Sequence, residues 1–151
     1  MAKLIIPDDK PLQSVEKWLP IFDYLVKVAK AEGIPVKEMR VHSHPAGTYA
    51  CWDAEADFDE MSVTFCGGQD RETVLHELAH LLVEDHHTRV WAQELFRMHR
   101  LYLPKHRVAR ADRAVARDYQ KGMSLYKEVY GCRIPRWEPF VGWYEKRRKK
   151  K

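Results

Sequence analysis

The 151-residue chain has no apolar run approaching the ~20 residues that a membrane-crossing helix needs, so no membrane span is expected. Cysteine is scarce: Cys51, Cys66 and Cys132 are odd in number, scattered and without a CxxC. That argues against a disulfide framework and against a Cys-based zinc site, and the thiols read as reduced. There is no internal repeat, and no Gly/Ser/Pro-rich linker marks a second domain. Before Pro7-Asp8-Asp9 the opening MAKLIIPDDK has only Lys3 and a short apolar stretch, so it lacks a signal-peptide pattern. A cytoplasmic, intracellular protein is the expectation.

What is present suits one folded unit. Hydrophobic residues make up 45% and aromatics 11%, enough for a core over residues 1–145, with 146–151 as a disordered basic tail. The net charge of +4 conceals a polarity. Residues 1–96 hold 9 Lys/Arg against 17 Asp/Glu, a balance of −8, whereas residues 97–151 hold 17 against 5, a balance of +12. Such asymmetry is compatible with an anionic partner such as DNA, and equally with a solvated helical surface. Arg110, Arg113 and Arg117, with Lys146, Arg147 and Arg148 of the tail, are the candidate contacts.

Periodicity predicts an amphipathic helix over Leu12–Ala31, closed by Glu32-Gly33 and kinked or divided at Pro20. Candidate strands follow at Met39–His44, Thr48–Asp53 and Glu60–Cys66, the last two joined by an acidic loop, Asp53–Asp59. Gly67-Gly68 ends this region, and Asp70 is placed to cap a helix over the next segment. Further helices are expected over Thr88–Leu103, with Val90, Trp91, Leu95, Phe96 and Met98 inward, and over Val108–Tyr130, with Gly122 as a weak point. The fold class is therefore α+β, with a small, mostly antiparallel sheet and a helical C-terminal half. The aromatic stretch from Cys132 to Glu145 is expected to pack back on the domain. Its Trp137 and Trp143, lying among arginines, could also stack on unpaired bases.

Within the middle helix stands His76-Glu77-Leu78-Ala79-His80. Residues four apart on an α-helix share a face, so two imidazoles stand side by side with a carboxylate on their flank. Two histidines at that spacing suit a small cation, and Glu77 is placed to take a proton from a water activated there. Three N/O ligands and an open position make a catalytic zinc site, which calls for a third ligand. Glu84-Asp85 ends the helix and leads to His86, the favoured third. His87 and Glu94 stay open as alternatives.

With Thr73-Val74-Leu75 before the motif, Leu81 after it, then Asp85-His86 and Val90-Trp91, the chain resembles the minimal zincin metallopeptidases of the SprT-like and YgjP-like group. The resemblance covers roughly residues 40–103. It implies a zincin fold in which His76, His80 and His86 bind Zn2+ and Glu77 is the general base of peptide-bond hydrolysis. Two departures stand out: Val83 replaces the glycine of a metzincin turn, and His86 is followed by His87 rather than glycine.

A substrate peptide is expected along Glu60–Cys66 as an edge strand. Tyr102, His99 and His87 are candidate donors to the substrate oxyanion. His42 and His44 read as polar residues on an open sheet face, and His99 and His106 as surface residues. The competing function is a non-catalytic, zinc-stabilised binding or regulatory module, against which Glu77 argues because a purely structural site needs no such carboxylate.

Overall fold

A computed structural model describes residues 2–6, 12–41, 54–65 and 70–135. The expected strand at Thr48–Asp53, along with His42, His44, Cys51, Cys66, Trp137, Trp143, Lys146, Arg147 and Arg148, lies outside the described residues. The chain divides into two compact units, Met1–His86 and His87–Lys151.

The first unit runs β1 (Lys3–Ile5), α1 (Leu12–Glu32), β2 (Glu38–Val41), β3 (Ala54–Asp57), β4 (Ser62–Phe65) and α2 (Arg71–Val83). In α1, Trp18, Leu25, Val28 and Ala29 fall at helical spacing and are buried. Gly33, at φ +68°, turns the chain out of the helix, and the Ile34 N–H closes the end by donating to the Ala29 carbonyl at 2.9 Å. Pro20 does not divide this helix. It sits on the exposed side, where water can satisfy the carbonyl its missing N–H leaves open.

The four strands among the described residues are ordered β1-β2-β4-β3. β1 with β2 and β2 with β4 are parallel, and only β3 with β4 is antiparallel. The sheet is thus mixed, and the mostly antiparallel expectation is corrected. The physical reason is α1: a long crossover returns the chain to the same end of the sheet, so β1 and β2 run the same way. β1 itself, three residues long, has no readable pattern.

A second correction concerns the acidic stretch. Ala54–Asp57 is a strand, with its alanines half-buried and its carboxylates exposed in alternation. The turn that follows is held by Asp57, whose Oδ1 accepts the Asp59 and Glu60 N–H groups at 3.0 and 3.1 Å. Val63 and Phe65 of β4 are fully buried, and Trp18 of α1 lies 5.7 Å from the Phe65 ring. β4 is paired on both sides, so the described part of the segment expected as an edge strand, Ser62–Phe65, is interior. Among the described residues the edge beside it is β3, which packs against α2.

The second unit contains α3 (Arg89–Tyr102), α4 (Lys105–Asp118) and α5 (Gly122–Tyr130). Thr88 caps α3 through its hydroxyl, and Trp91, Leu95, Phe96 and Met98 are buried as expected. Val90 is 56% exposed and is not an inward residue. The single helix expected over Val108–Tyr130 is two helices, α4 and α5, broken at Tyr119–Lys121. Gly122 eases the close approach at the break: a Cβ there would meet the Ala116 Cα at 3.2 Å and push α5 a few tenths of an ångström away from α4.

His99 is another correction. It is buried, not at the surface, and its Nδ1 donates to Asp112 Oδ1 at 2.8 Å. Arg100 approaches the other Asp112 oxygen at 3.2 Å, donates to the Tyr126 hydroxyl at 2.7 Å and stacks 3.8 Å over the Tyr130 ring. His106 is exposed as expected.

Candidate metal centre

The site begins with the cap of α2. Asp70 Oδ1 accepts the Thr73 N–H at 2.7 Å and the Thr73 hydroxyl at 2.6 Å, fixing the first turn where the sequence placed it. Val74, Leu75, Leu78, Ala79 and Leu81 are buried, which pins the rotation of the helix. Given that rotation, His76 and His80 emerge on one side, one turn apart, with ring centres 5.0 Å apart. Two imidazoles bound to one tetrahedral ion, with Zn–N near 2 Å, stand roughly 5 Å apart centre to centre. His80 also lies in the last turn of α2, where the helix dipole favours a cation.

Glu77 is 6% exposed, and its Oε1 lies 3.9 Å from His76 Nε2. A carboxylate at this depth costs desolvation free energy, so its burial beside the His76 imidazole marks it as a candidate for chemistry.

The helix then ends on an unusual residue. Glu84 takes φ 50° and ψ 45°, the left-handed region, and its N–H donates to the His80 carbonyl. This turns the chain so that the Asp85 carbonyl faces back to the His80 ring, 2.8 Å from Nδ1. A carbonyl only accepts, so Nδ1 carries the proton and Nε2 keeps its lone pair for a metal.

The third histidine of the group is His87. Its ligand atom and those of His76 and His80 all lie within 4.8 Å of one another, with His76 half-buried, His80 buried and His87 exposed. His86, the favoured third ligand, is not in this group. Adjacent residues in a bend point in different directions, and spacing along the sequence cannot choose between them. The His86 ring lies 6.5 Å from that of His80 and 5.3 Å from Phe58, and its backbone N–H donates to Asp85 Oδ1 at 2.8 Å. The His87 ring meets Trp91 edge-on at 4.7 Å. Glu94 pairs with Arg97 at 2.7 Å and is outside the group as well.

Three imidazoles, one of them with its second nitrogen already tied to a carbonyl, fit a divalent ion of intermediate softness. The sequence reading missed the Asp85 carbonyl altogether. A backbone acceptor has no residue signature, and the left-handed Glu84 that aims it is not a glycine or asparagine.

The candidate nucleic-acid residues are divided. Arg110 and Arg117 are exposed on α4, whereas Arg113 donates to the Pro135 carbonyl at 2.7 Å. Among the described residues no helix is long and apolar enough to cross a membrane. No family model, no curated protein and no solved structure matches this chain.

Proposed function

We propose that this protein is a zinc-dependent peptide-bond hydrolase of the minimal zincin kind, resembling SprT-like and YgjP-like metallopeptidases, with His76, His80 and His87 as ligands. The observation that carries the reading is the 2.8 Å contact from His80 Nδ1 to the Asp85 carbonyl, beside a buried Glu77. It orients a ligand ring in the way metal-binding histidines are commonly held.

A zinc ion held by neutral imidazoles would make water acidic near pH 7 and polarise a carbonyl. The protein's own groups do the rest. Glu77 takes the proton of the attacking water on a carboxylate oxygen and passes it to the departing amine nitrogen. Among the described residues β3 is the edge strand beside α2, so a substrate chain would add to the sheet there through main-chain hydrogen bonds.

The test is Glu77→Gln in the full chain. One zinc per chain should remain, while cleavage of labelled casein falls by ~10²-fold or more. Undiminished cleavage would sink the reading, and zinc binding with no cleavage by wild type would favour the non-catalytic zinc module instead.

Direction to DNA or another polyanion rests on Arg110 and Arg117, exposed on α4 at a seven-residue spacing that gives them a common face. Neutralising both should lower the salt slope of single-stranded DNA binding by ~1–2. Absence of any binding at low salt rejects that role.

A further inference from the structure

His86 is left without an assigned task once His87 joins the triad. We infer that His86 is a catalytic residue of the proposed hydrolase, donating a ring N–H hydrogen bond to the carbonyl oxygen of the scissile peptide as that oxygen gains negative charge. The inference rests on the peptidase reading and goes beyond it, because it exchanges the roles of two adjacent histidines.

Three observations carry it. The first is distance. His76 and His80 stand 5.0 Å apart, the spacing of two rings on one ion, whereas His86 stands 6.5 Å from His80. That is ~1.5 Å beyond the spacing expected for co-ligands, in the range where a ring reaches a group lying against the ion rather than the ion itself.

The second is fixation. His86 is bracketed in sequence by two residues that are themselves committed: Asp85, whose carbonyl holds His80, and His87, a member of the triad. Its own N–H is held by Asp85 Oδ1, and its ring rests against Phe58 at 5.3 Å. With its backbone anchored through Asp85 and its ring against Phe58, the exposed side chain is restrained in direction, which favours transition-state hydrogen bonding.

The third is placement. Phe58 directly follows β3, so His86 stands at the end of the strand that forms the sheet edge among the described residues, along which a peptide would lie. A carbonyl brought in along β3 therefore passes the His86 ring. Two of the three alternative donors fall away: His99 is 2% exposed and bound to Asp112, and His87 is in the triad, which leaves Tyr102, half-buried at the end of α3, as the one to compare with His86.

The experiment compares zinc-loaded wild type, His86→Ala, His86→Gln, His87→Ala and Glu77→Gln, all as full chains. Zinc content is measured, along with kcat and KM on a quenched-fluorescent peptide and inhibition by a phosphinic peptide. His86→Ala should keep one zinc, hold KM within ~3-fold and lose ~10²–10³-fold in kcat, the usual loss for one such donor. Phosphinic-peptide affinity should fall in parallel, and His86→Gln, which retains an N–H donor, should recover part of kcat. His87→Ala should lose the zinc. Full kcat in His86→Ala while Glu77→Gln is inactive overturns this inference alone. So does loss of zinc in His86→Ala with retention in His87→Ala. If zinc-loaded wild type cleaves nothing, the parent reading fails and this one falls with it.

Discussion

The Nδ1 of His80 lies 2.8 Å from the backbone oxygen of Asp85, five residues on, and the link between them is the left-handed Glu84. A residue with a Cβ at φ 50° carries strain of about 1 kcal/mol, which the two hydrogen bonds around His80 offset. Glu84→Gly removes the strain without moving the carbonyl. It should leave zinc affinity within ~3-fold and keep or raise stability by up to about 1 kcal/mol. Glu84→Val, whose β-branch tolerates this region worst, should destabilise by about 1–2 kcal/mol and weaken zinc binding ~10–100-fold. Urea unfolding and competition titration with a chromophoric chelator measure both. Equal zinc affinity in the two variants would show that the Asp85 carbonyl has no part in holding His80.

Metal binding and stability should be linked. An ion that binds only the folded chain adds ~1.4 kcal/mol for every tenfold rise in its free concentration above Kd. A zinc-buffered series should therefore raise Tm steadily in wild type, and chelation should reverse the rise. His80→Ala should abolish the dependence, while Glu94→Ala, whose carboxylate pairs with Arg97 outside the triad, should preserve it. A Tm independent of zinc in wild type would contradict the site.

The parts of this site legible in the sequence are those carried by period and cap chemistry. The four-residue spacing of His76 and His80, the Asp70 cap and the flanking apolar residues all reappear in α2. What was not legible depended on single backbone choices. His87 rather than His86 follows from the bend after Glu84, and a one-residue difference there has no periodic signature. The parallel pairing of β1 was hidden because three residues, Lys3–Ile5, are too few to show alternation. Ala54–Asp57 reads as an acidic loop because its buried face is only alanine, yet pairing with β4 makes it a strand. In the second unit, the Asp112 carboxylate drew His99 inward from a run of basic residues that otherwise read as surface.

That buried pair should matter to stability and not to metal. Asp112 is 1% exposed, holds His99 through Oδ1 and has no hydrogen-bond partner at Oδ2, where Arg100 approaches at 3.2 Å. Removing the carboxylate leaves the buried His99 donor without its acceptor, a loss of about 1–3 kcal/mol. Asp112→Ala should lower urea-unfolding stability by that amount while zinc affinity of the folded fraction stays within ~3-fold. A change under about 1 kcal/mol would mean that water replaces the carboxylate freely.

Tyr126 and Tyr130 should mark the alkaline limit of the second unit. Burial raises the pKa of both hydroxyls above the ordinary value of 10.0, and the nearby Arg100 only partly opposes this. In the unfolded chain the two groups ionise near pH 10, whereas in the folded chain they keep their protons longer. The folded state thus binds more protons in that interval, so their contribution to stability is complete below pH 10 and is lost as pH rises through the raised values. Absorbance titration at 295 nm should show a late class among the seven tyrosines of the chain. Tyr126→Phe with Tyr130→Phe should remove that class and flatten the fall of stability above pH 10. Seven tyrosines titrating together near pH 10, with an unchanged alkaline limb in the double variant, would contradict the burial of these rings.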